Sequence, residues 1–159
     1  MKRSVVSRFG IGLCGVAVWL ATMSARADER AVRPPHLPAY TQECASCHVA
    51  YPPGMLPAAS WQRLMGNLSR HFGTDASLDV PTQAALTVWL TANAGTGSRV
   101  REAPPDDRLT RSAWFVRKHR EVRPDVWKRA AIGSASRCDA CHADALKGDF
   151  DEHAVRIPR

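Results

Sequence analysis

Residues 44–48 read CASCH and residues 138–142 read CDACH, so the pattern Cys-x-x-Cys-His occurs twice in this chain of 159 residues. The two copies contain four of the five cysteines, and the fifth is Cys14, near the N-terminus. Each copy places two thiols about one helical turn apart, with an imidazole directly after the second thiol. The repetition indicates two sites of the same kind.

Cys-x-x-Cys-His is the attachment pattern of a c-type haem. The two thiols form thioether bonds with the vinyl groups, and the histidine binds the iron from one side of the porphyrin. We therefore predict two covalent c-type haems. The predicted attachment residues are Cys44, Cys47, Cys138 and Cys141, and the predicted proximal iron ligands are His48 and His142.

Three other kinds of site share part of this pattern. A thioredoxin-like redox pair lies beside a strand in a βαβ unit, and no strand pattern is visible here. A zinc site shared by the four sulfurs leaves both trailing histidines without a role. A disulfide within either pair closes so small a loop that it stabilises little. Only the haem interpretation uses both thiols and the histidine of each motif.

An iron bound by one histidine has an open axial position, and the sequence offers several residues to fill it. The candidates are His36, His71, His119, His153, Met55 and Met65. Methionine raises the reduction potential relative to histidine, so this ligand sets the working range of the haem. His36 lies among prolines and is the weakest of the candidates.

His71 is the predicted ligand opposite His48. It follows Leu64 by seven residues and Leu68 by three, so in a continuous helix it shares their apolar face. A histidine on an apolar face is usually only a satisfied core residue, but here the core must contain an iron that lacks a ligand. Met65, on the same predicted helix, and Met55 are the rivals for this position.

His119 is the predicted ligand opposite His142. It lies in WFVRKHREV, residues 114–122, four residues after Phe115 and three before Val122. Those spacings place His119 on the apolar face of a helix whose other face is basic. The rival is His153, because the segment GDFDEHAVRIPR is close enough in sequence to fold back over the same haem.

The first 27 residues have the pattern of a secretory signal peptide. A basic start precedes a short apolar run from Phe9 to Leu20, and Ala25-Arg26-Ala27 fits a small-x-small cleavage site. We expect cleavage after Ala27, export to the periplasm and no stable membrane insertion afterwards. The alternative is an uncleaved anchor, for which the run is short.

Loss of this segment removes four basic residues and no acidic residue, which lowers the formal net charge from +7 to +3. Four haem propionates and two oxidised irons then bring the holoprotein to about +1. The basic balance of the whole chain therefore does not indicate nucleic-acid binding, and we predict no nucleic-acid partner. The basic residues of the WFVRKH segment could instead neutralise propionates or form a docking face for an acidic redox partner.

The remaining sequence has helical patterns and no credible strand. Predicted helices run from Ser60 as N-cap to Gly73, from Asp79 to the loop at 93–108, from Thr110 to about Val122, from Asp125 to Ala131 and from Cys138 to Leu146, with one further turn at Cys44–His48. We predict an all-α, cytochrome-c-like fold of short helices and long loops around two covalent haems. Residues 28–100 form the N-terminal haem-binding half, and residues 101–159 form the C-terminal half.

Most of residues 39–158 resembles the small periplasmic dihaem cytochromes c. The resemblance rests on AYTQECASCHVAYPPGMLPAASWQRLMGNLSRHFG, on the WFVRKH segment and on CDACHADALKGDF. It implies an electron carrier with two bis-histidine haems, and it supports His71 and His119 as the distal ligands. It also implies redox partners, namely an oxygen-binding monohaem cytochrome c and a membrane b-type cytochrome.

Two other functional classes are compatible with two haems. A dihaem peroxidase or reductase needs one iron that opens a coordination site, but such scaffolds are generally larger and no catalytic acid or base adjoins either motif. A haem-based ligand sensor also needs an open position. We therefore predict a non-enzymatic electron carrier, because iron with two histidine ligands changes oxidation state without exchanging a ligand.

Overall fold

The computed structural model describes residues 37–159, so the predicted signal peptide and His36 lie outside the described residues. Four α-helices are joined by turns of 3-10 helix and irregular segments. The helices are α1 Pro38–Cys44, α2 Ala58–Met65, α3 Val80–Ala92 and α4 Ala113–Lys118. Over residues 37–159 the chain forms no β-strand, only one isolated bridge between His71 and Thr74. The predicted all-α fold is confirmed.

The longest helix, α3, begins where the sequence predicts. The Asp79 side chain accepts a hydrogen bond of 2.9 Å from the Thr82 backbone N–H, and proline occupies the first turn, where no N–H is needed. Leu86 and Leu90 on the inner face of α3 are fully buried. The capping and the periodicity together explain why this prediction is confirmed.

The predicted helix from Ser60 to Gly73 is wrong in its bounds. The structure starts α2 at Ala58, directly after Pro57, so Ser60 lies inside the helix and is buried rather than serving as the N-cap. The helix ends at Met65 because Gly66, a weak helix former, follows it. A separate 3-10 turn, Leu68–Arg70, then carries the chain to His71.

The C-terminal half is less regular than the sequence predicts. Helix α4 is capped by the Ser112 hydroxyl, not by Thr110, and it ends at Lys118. The short helices predicted at 125–131 and 138–146 are only 3-10 turns, Val126–Lys128, Cys138–Ala140 and Ala145–Lys147. The predicted turn at 44–48 is preceded by the whole of α1. Such short segments lack the length for cooperative α-helix formation, so tertiary contacts determine their conformation.

The hydrophobic core lies between α2 and α3, which pack against each other, with α1 beside α3. Its buried members are Tyr40, Met55, Leu56, Trp61, Met65, Leu86, Leu90 and Leu109. Trp114 and Phe150 pack against the same cluster although they lie far along the C-terminal half. One apolar cluster therefore receives side chains from both predicted halves.

Two polar links also cross between the halves. Arg63 on α2 binds Asp107 through two hydrogen bonds of 2.8 and 2.7 Å, and the Tyr51 hydroxyl donates to the Ser136 carbonyl at 2.8 Å. Neither the 28–100 nor the 101–159 half is thus isolated from the other. Within residues 37–159, no helix has the length and apolar character needed to cross a membrane.

Candidate haem sites

The first Cys-x-x-Cys-His motif begins at the last residue of α1. Cys44 ends the helix, and residues 45–47 form a turn that leads to His48. His71 arrives from the 3-10 turn after α2, with its backbone N–H donating to the Leu68 carbonyl at 3.2 Å. The imidazole rings of His48 and His71 have their centres 6.2 Å apart, with 23° between the ring planes. The two residues proposed for the first iron therefore lie side by side.

The second motif forms a 3-10 turn, closed by a 2.8 Å hydrogen bond from the His142 N–H to the Cys138 carbonyl. His119 stands at the C-terminal end of α4, where its ring stacks on Phe115 with centres 4.0 Å apart. The rings of His119 and His142 also have their centres 6.2 Å apart, at an interplanar angle of 73°. The second proposed pair is thus brought together in the same way.

These separations suit a metal between the rings. Because a metal–imidazole bond is about 2 Å long and a ring nitrogen lies about 1.1 Å from the ring centre, two axial imidazoles on one metal have centres about 6.2 Å apart. Both pairs match this distance. Among residues 37–159, no group of three or more His, Cys, Asp or Glu side chains could hold a metal ion by itself. A haem iron needs only two protein ligands, so the donor sets fit haem.

Hydrogen bonds orient one ring in each pair. His48 Nδ1 lies 2.7 Å from the Val49 carbonyl, and His119 Nδ1 lies 2.9 Å from the Phe115 carbonyl. A carbonyl only accepts, so Nδ1 carries the proton and Nε2 of the neutral ring keeps its lone pair for a metal. Nδ1 of His71 and of His142 is buried without a hydrogen-bond partner, so no hydrogen bond from Nδ1 orients these two rings.

The surroundings favour neutral imidazoles. Burial lowers the pKa of His71, assisted by the neighbouring charges of His48 and Arg108. Burial also lowers the pKa of His119, and it lowers the pKa of His142 with a further contribution from His119. The neutral form is the one that binds a metal, so the lowered pKa values of His71, His119 and His142 favour ligation near neutral pH.

No disulfide joins the four cysteines of the motifs, of which Cys47 is exposed and the other three are half-buried. Burial raises the pKa of the Cys44 thiol and of the Cys138 thiol to about 11 in each case, and it also raises the pKa of Cys141. A thioredoxin-like redox pair instead has a thiolate whose pKa is lowered. The environment of these thiols therefore disfavours that alternative.

The rival ligands lie elsewhere. His153 is exposed in the 3-10 turn Glu152–Ala154, whereas the His142 ring contacts the rings of His119 and Phe150. Met55 and Met65 are buried in the hydrophobic core. The structure thus places the rings of His71 and His119 beside the motif histidines.

Two aromatic neighbours of the motif histidines were not anticipated from the sequence. The Tyr51 ring stacks on His48 at 4.7 Å, and Phe150 meets His142 edge-on at 5.6 Å. Tyr51 lies three residues after His48 in the sequence, and this closeness was the only feature of the sequence that could have indicated their contact. The other contact depends on how the chain folds back.

A family model described as dihaem cytochrome c matches residues 40–150. A solved dihaem cytochrome type c from Shewanella baltica OS155 is 39% identical, covers 78% of this chain and 94% of its own, and has a TM-score of 0.69. Two structures of dihaem cytochrome c from Rhodobacter sphaeroides are each 40% identical, with 74% of this chain covered and TM-scores of 0.64 and 0.65. The match extends over 99% and 98% of the lengths of these two Rhodobacter sphaeroides chains. A search of curated proteins found no match.

Proposed function

Because this chain belongs to the dihaem cytochrome c family and carries two covalently bound c-type haems, we propose that it transfers electrons between redox partners through two bis-histidine haems. In the first site, Cys44 and Cys47 attach the haem, and His48 and His71 bind its iron. In the second site, Cys138 and Cys141 attach the haem, and His142 and His119 bind its iron.

The observation that carries this proposal is the equal ring separation in the two pairs. Each separation is 6.2 Å, although the members of each pair come from different elements of the chain. An iron with histidine on both sides has no vacant position for oxygen or peroxide, whereas an enzyme or a sensor needs one. The geometry therefore supports electron transfer rather than catalysis or ligand sensing.

In this function the protein chain positions the imidazole ligands and excludes water from the haem. Haem iron supplies one-electron redox chemistry when bound. The chain holds one imidazole of each pair in place, with His48 on the Val49 carbonyl and His119 on the Phe115 carbonyl and ring. Rigid ligands keep the same coordination in both oxidation states, so little reorganisation accompanies each electron. Buried aromatic neighbours such as Phe115 exclude water from the second site.

Electron paramagnetic resonance of the oxidised holoprotein tests the ligation. We expect two low-spin irons in the wild type and no carbon monoxide adduct after reduction. His71→Ala and His119→Ala should each convert one haem to high spin, and His153→Ala is the matched control that should convert neither. A high-spin haem in His153→Ala, together with an unchanged spectrum in His119→Ala, would show that the second distal ligand is assigned wrongly.

The second site adjoins a basic surface that suits a redox partner. Arg117, Lys118 and Arg120, here called the α4 basic cluster, are exposed on either side of His119. We propose that this cluster steers an acidic partner towards the second haem, as charge complementarity raises the rate of encounter. The family resemblance suggests an oxygen-binding monohaem cytochrome c or a membrane b-type cytochrome as this partner.

Neutralising the α4 basic cluster tests this docking face. Stopped-flow electron transfer to an acidic acceptor should be slower for the triple glutamine variant at low salt. The variant and the wild type should converge at high salt, because screening removes the steering. Equal rates at every ionic strength would eliminate the cluster as a docking face.

We also propose a periplasmic location after removal of residues 1–27, and one haem in each of the halves 28–100 and 101–159. N-terminal sequencing of the protein from a periplasmic extract would check the cleavage, with Asp28 expected as the first residue. A mature chain that retains the basic start would indicate an anchor instead.

A further inference from the structure

Tyr51 lies between the two haem sites and contacts elements of both. Its ring stacks on the His48 imidazole, with centres 4.7 Å apart and only 16° between the planes. This contact covers a face of a ring that the proposed function assigns to the first iron. The His48 ring is therefore confined by the Val49 carbonyl at its edge and by Tyr51 on its face.

The hydroxyl of Tyr51 reaches the second site. It donates a 2.8 Å hydrogen bond to the carbonyl of Ser136, a residue 85 positions later in the chain. Ser136 precedes Cys138, the first attachment residue of the second haem, by two positions. One side chain thus contacts the proximal ligand of one site and the attachment segment of the other.

The backbone of Tyr51 is held as firmly as its side chain. Its carbonyl accepts a 2.8 Å hydrogen bond from the Tyr40 hydroxyl, and the following residues, Pro52 and Pro53, are buried. Proline restricts the chain on its own and at the preceding residue. Tyr51 therefore has little freedom to move, and it holds the His48 ring and the Ser136 segment in a fixed relation to each other.

The phenol keeps its proton under ordinary conditions. Burial raises the pKa of Tyr51, so the hydroxyl remains a donor to Ser136 over the whole neutral range. The contact is therefore a permanent mechanical link and needs no oxidation or proton loss of the tyrosine.

We propose that Tyr51 is a positioning residue that couples the two haems. Its ring fixes the plane of the His48 imidazole, and its hydroxyl holds the segment that attaches the second haem. The proposal deepens the proposed electron-transfer function and rests on His48 as an iron ligand. It extends the set of functional residues to one that neither attaches a haem nor binds an iron.

Two substitutions of Tyr51 separate its two contacts. Tyr51→Phe keeps the ring on His48 and removes the hydroxyl that reaches Ser136. Tyr51→Leu removes both contacts. Asp107→Asn is the matched control, because it weakens another side-chain link between the halves, from Arg63 to Asp107, without contacting a motif residue.

The measurements are the resonance signals of the oxidised holoprotein and the midpoint potentials of the two haems. The signal lost in His71→Ala is first assigned to the first haem, and the signal lost in His119→Ala is assigned to the second haem. In Tyr51→Phe we expect the first haem's signal to be unchanged. We also expect the equilibrium constant for moving one electron between the haems to change at least about threefold. This corresponds to a change of about 28 mV in the difference between the two midpoint potentials. In Tyr51→Leu the first haem's signal should shift as well.

A purely structural link predicts a different pattern. Tyr51→Phe would then lower the melting temperature as Asp107→Asn does, and it would leave both midpoint potentials at their wild-type values. That result overturns the proposal whether or not Tyr51→Leu assembles with both haems. A failure of the electron-carrier function is distinguishable, because it appears in the wild type itself as an iron that is not low-spin.

Discussion

Replacing Gly95 with alanine should destabilise the protein strongly, because the chain passes very close to another segment there. The Gly95 N–H donates a 2.9 Å hydrogen bond to the Leu56 carbonyl. A Cβ added to Gly95 would lie 2.3 Å from the Gly54 carbonyl oxygen and 2.6 Å from Val100 Cγ2. The Gly54 oxygen belongs to the backbone between buried prolines and core residues, so it cannot rotate away as a side chain end could.

The magnitude follows from the displacement that is needed. Ordinary contact requires these atoms to separate by about 1 Å, and overpacking of this kind lowers the free energy of unfolding by about 1–3 kcal/mol or more. For the 132 residues that remain after cleavage (159 − 27), an unfolding entropy of about 2.1 cal/mol/K per residue converts each kcal/mol into about 4 °C of melting temperature. We therefore expect Gly95→Ala to melt about 4–12 °C below the wild type.

Thermal unfolding of the holoprotein, followed by circular dichroism, measures this effect. Gly97→Ala is the matched control two residues away, because a Cβ there meets nothing within 4 Å and its backbone is extended, with φ of −80°. Alanine at that position should be neutral or should stabilise by about 0.4–1 kcal/mol, since it restricts the unfolded chain. A Gly95→Ala protein that melts within about 1 °C of the wild type would refute the close-approach reasoning.

Three further predictions concern the core, an ion pair and the haem ligands. Leu90→Ala, at a fully buried position, should lower the free energy of unfolding in denaturant by about 2–5 kcal/mol, while exposed Val88→Ala should change it by less than about 0.5 kcal/mol. The hydrogen bonds from Arg63 lower the pKa of Asp107, so the stabilisation is present above the unfolded carboxyl pKa and is lost as pH falls through the folded pKa. Asp107→Asn should therefore melt below the wild type near neutral pH and at the same temperature as the wild type in acid. A difference in melting temperature that persists in acid would contradict this account. Interplanar angles of 23° and 73° in the two imidazole pairs should give two different low-spin resonance signals, and a single shared signal would be inconsistent with these geometries.

Much of the function could be predicted from local sequence because its chemistry is local. Two thiols and a histidine within five residues define a haem attachment site whatever surrounds them, so the number and type of cofactor follow from CASCH and CDACH. Helix α3 was predictable for the same reason, since Asp79, the following proline and the leucines on one face act within a few turns.

The route by which His71 reaches His48 could not be read from periodicity. The prediction assumed one helix from Ser60 to Gly73, but the chain breaks at Gly66 and presents His71 from a 3-10 turn. The residue predicted was the one found beside His48, although the helical reasoning for it was wrong. Helical spacing no longer relates His71 to Leu64 once the helix has ended, so only the path of the chain after the break brings its ring to 6.2 Å from His48.

Two covalent haem sites, a helical fold and a short set of candidate ligands follow from the residues of the chain alone. Tertiary structure alone decided which candidates stand beside the motif histidines, and it alone revealed Tyr51 against His48 and Ser136. The physical reason is distance along the chain. Each candidate pair spans 23 residues and the Tyr51 link spans 85, so packing, glycine breaks and loop paths set these contacts, and no spacing rule extends that far.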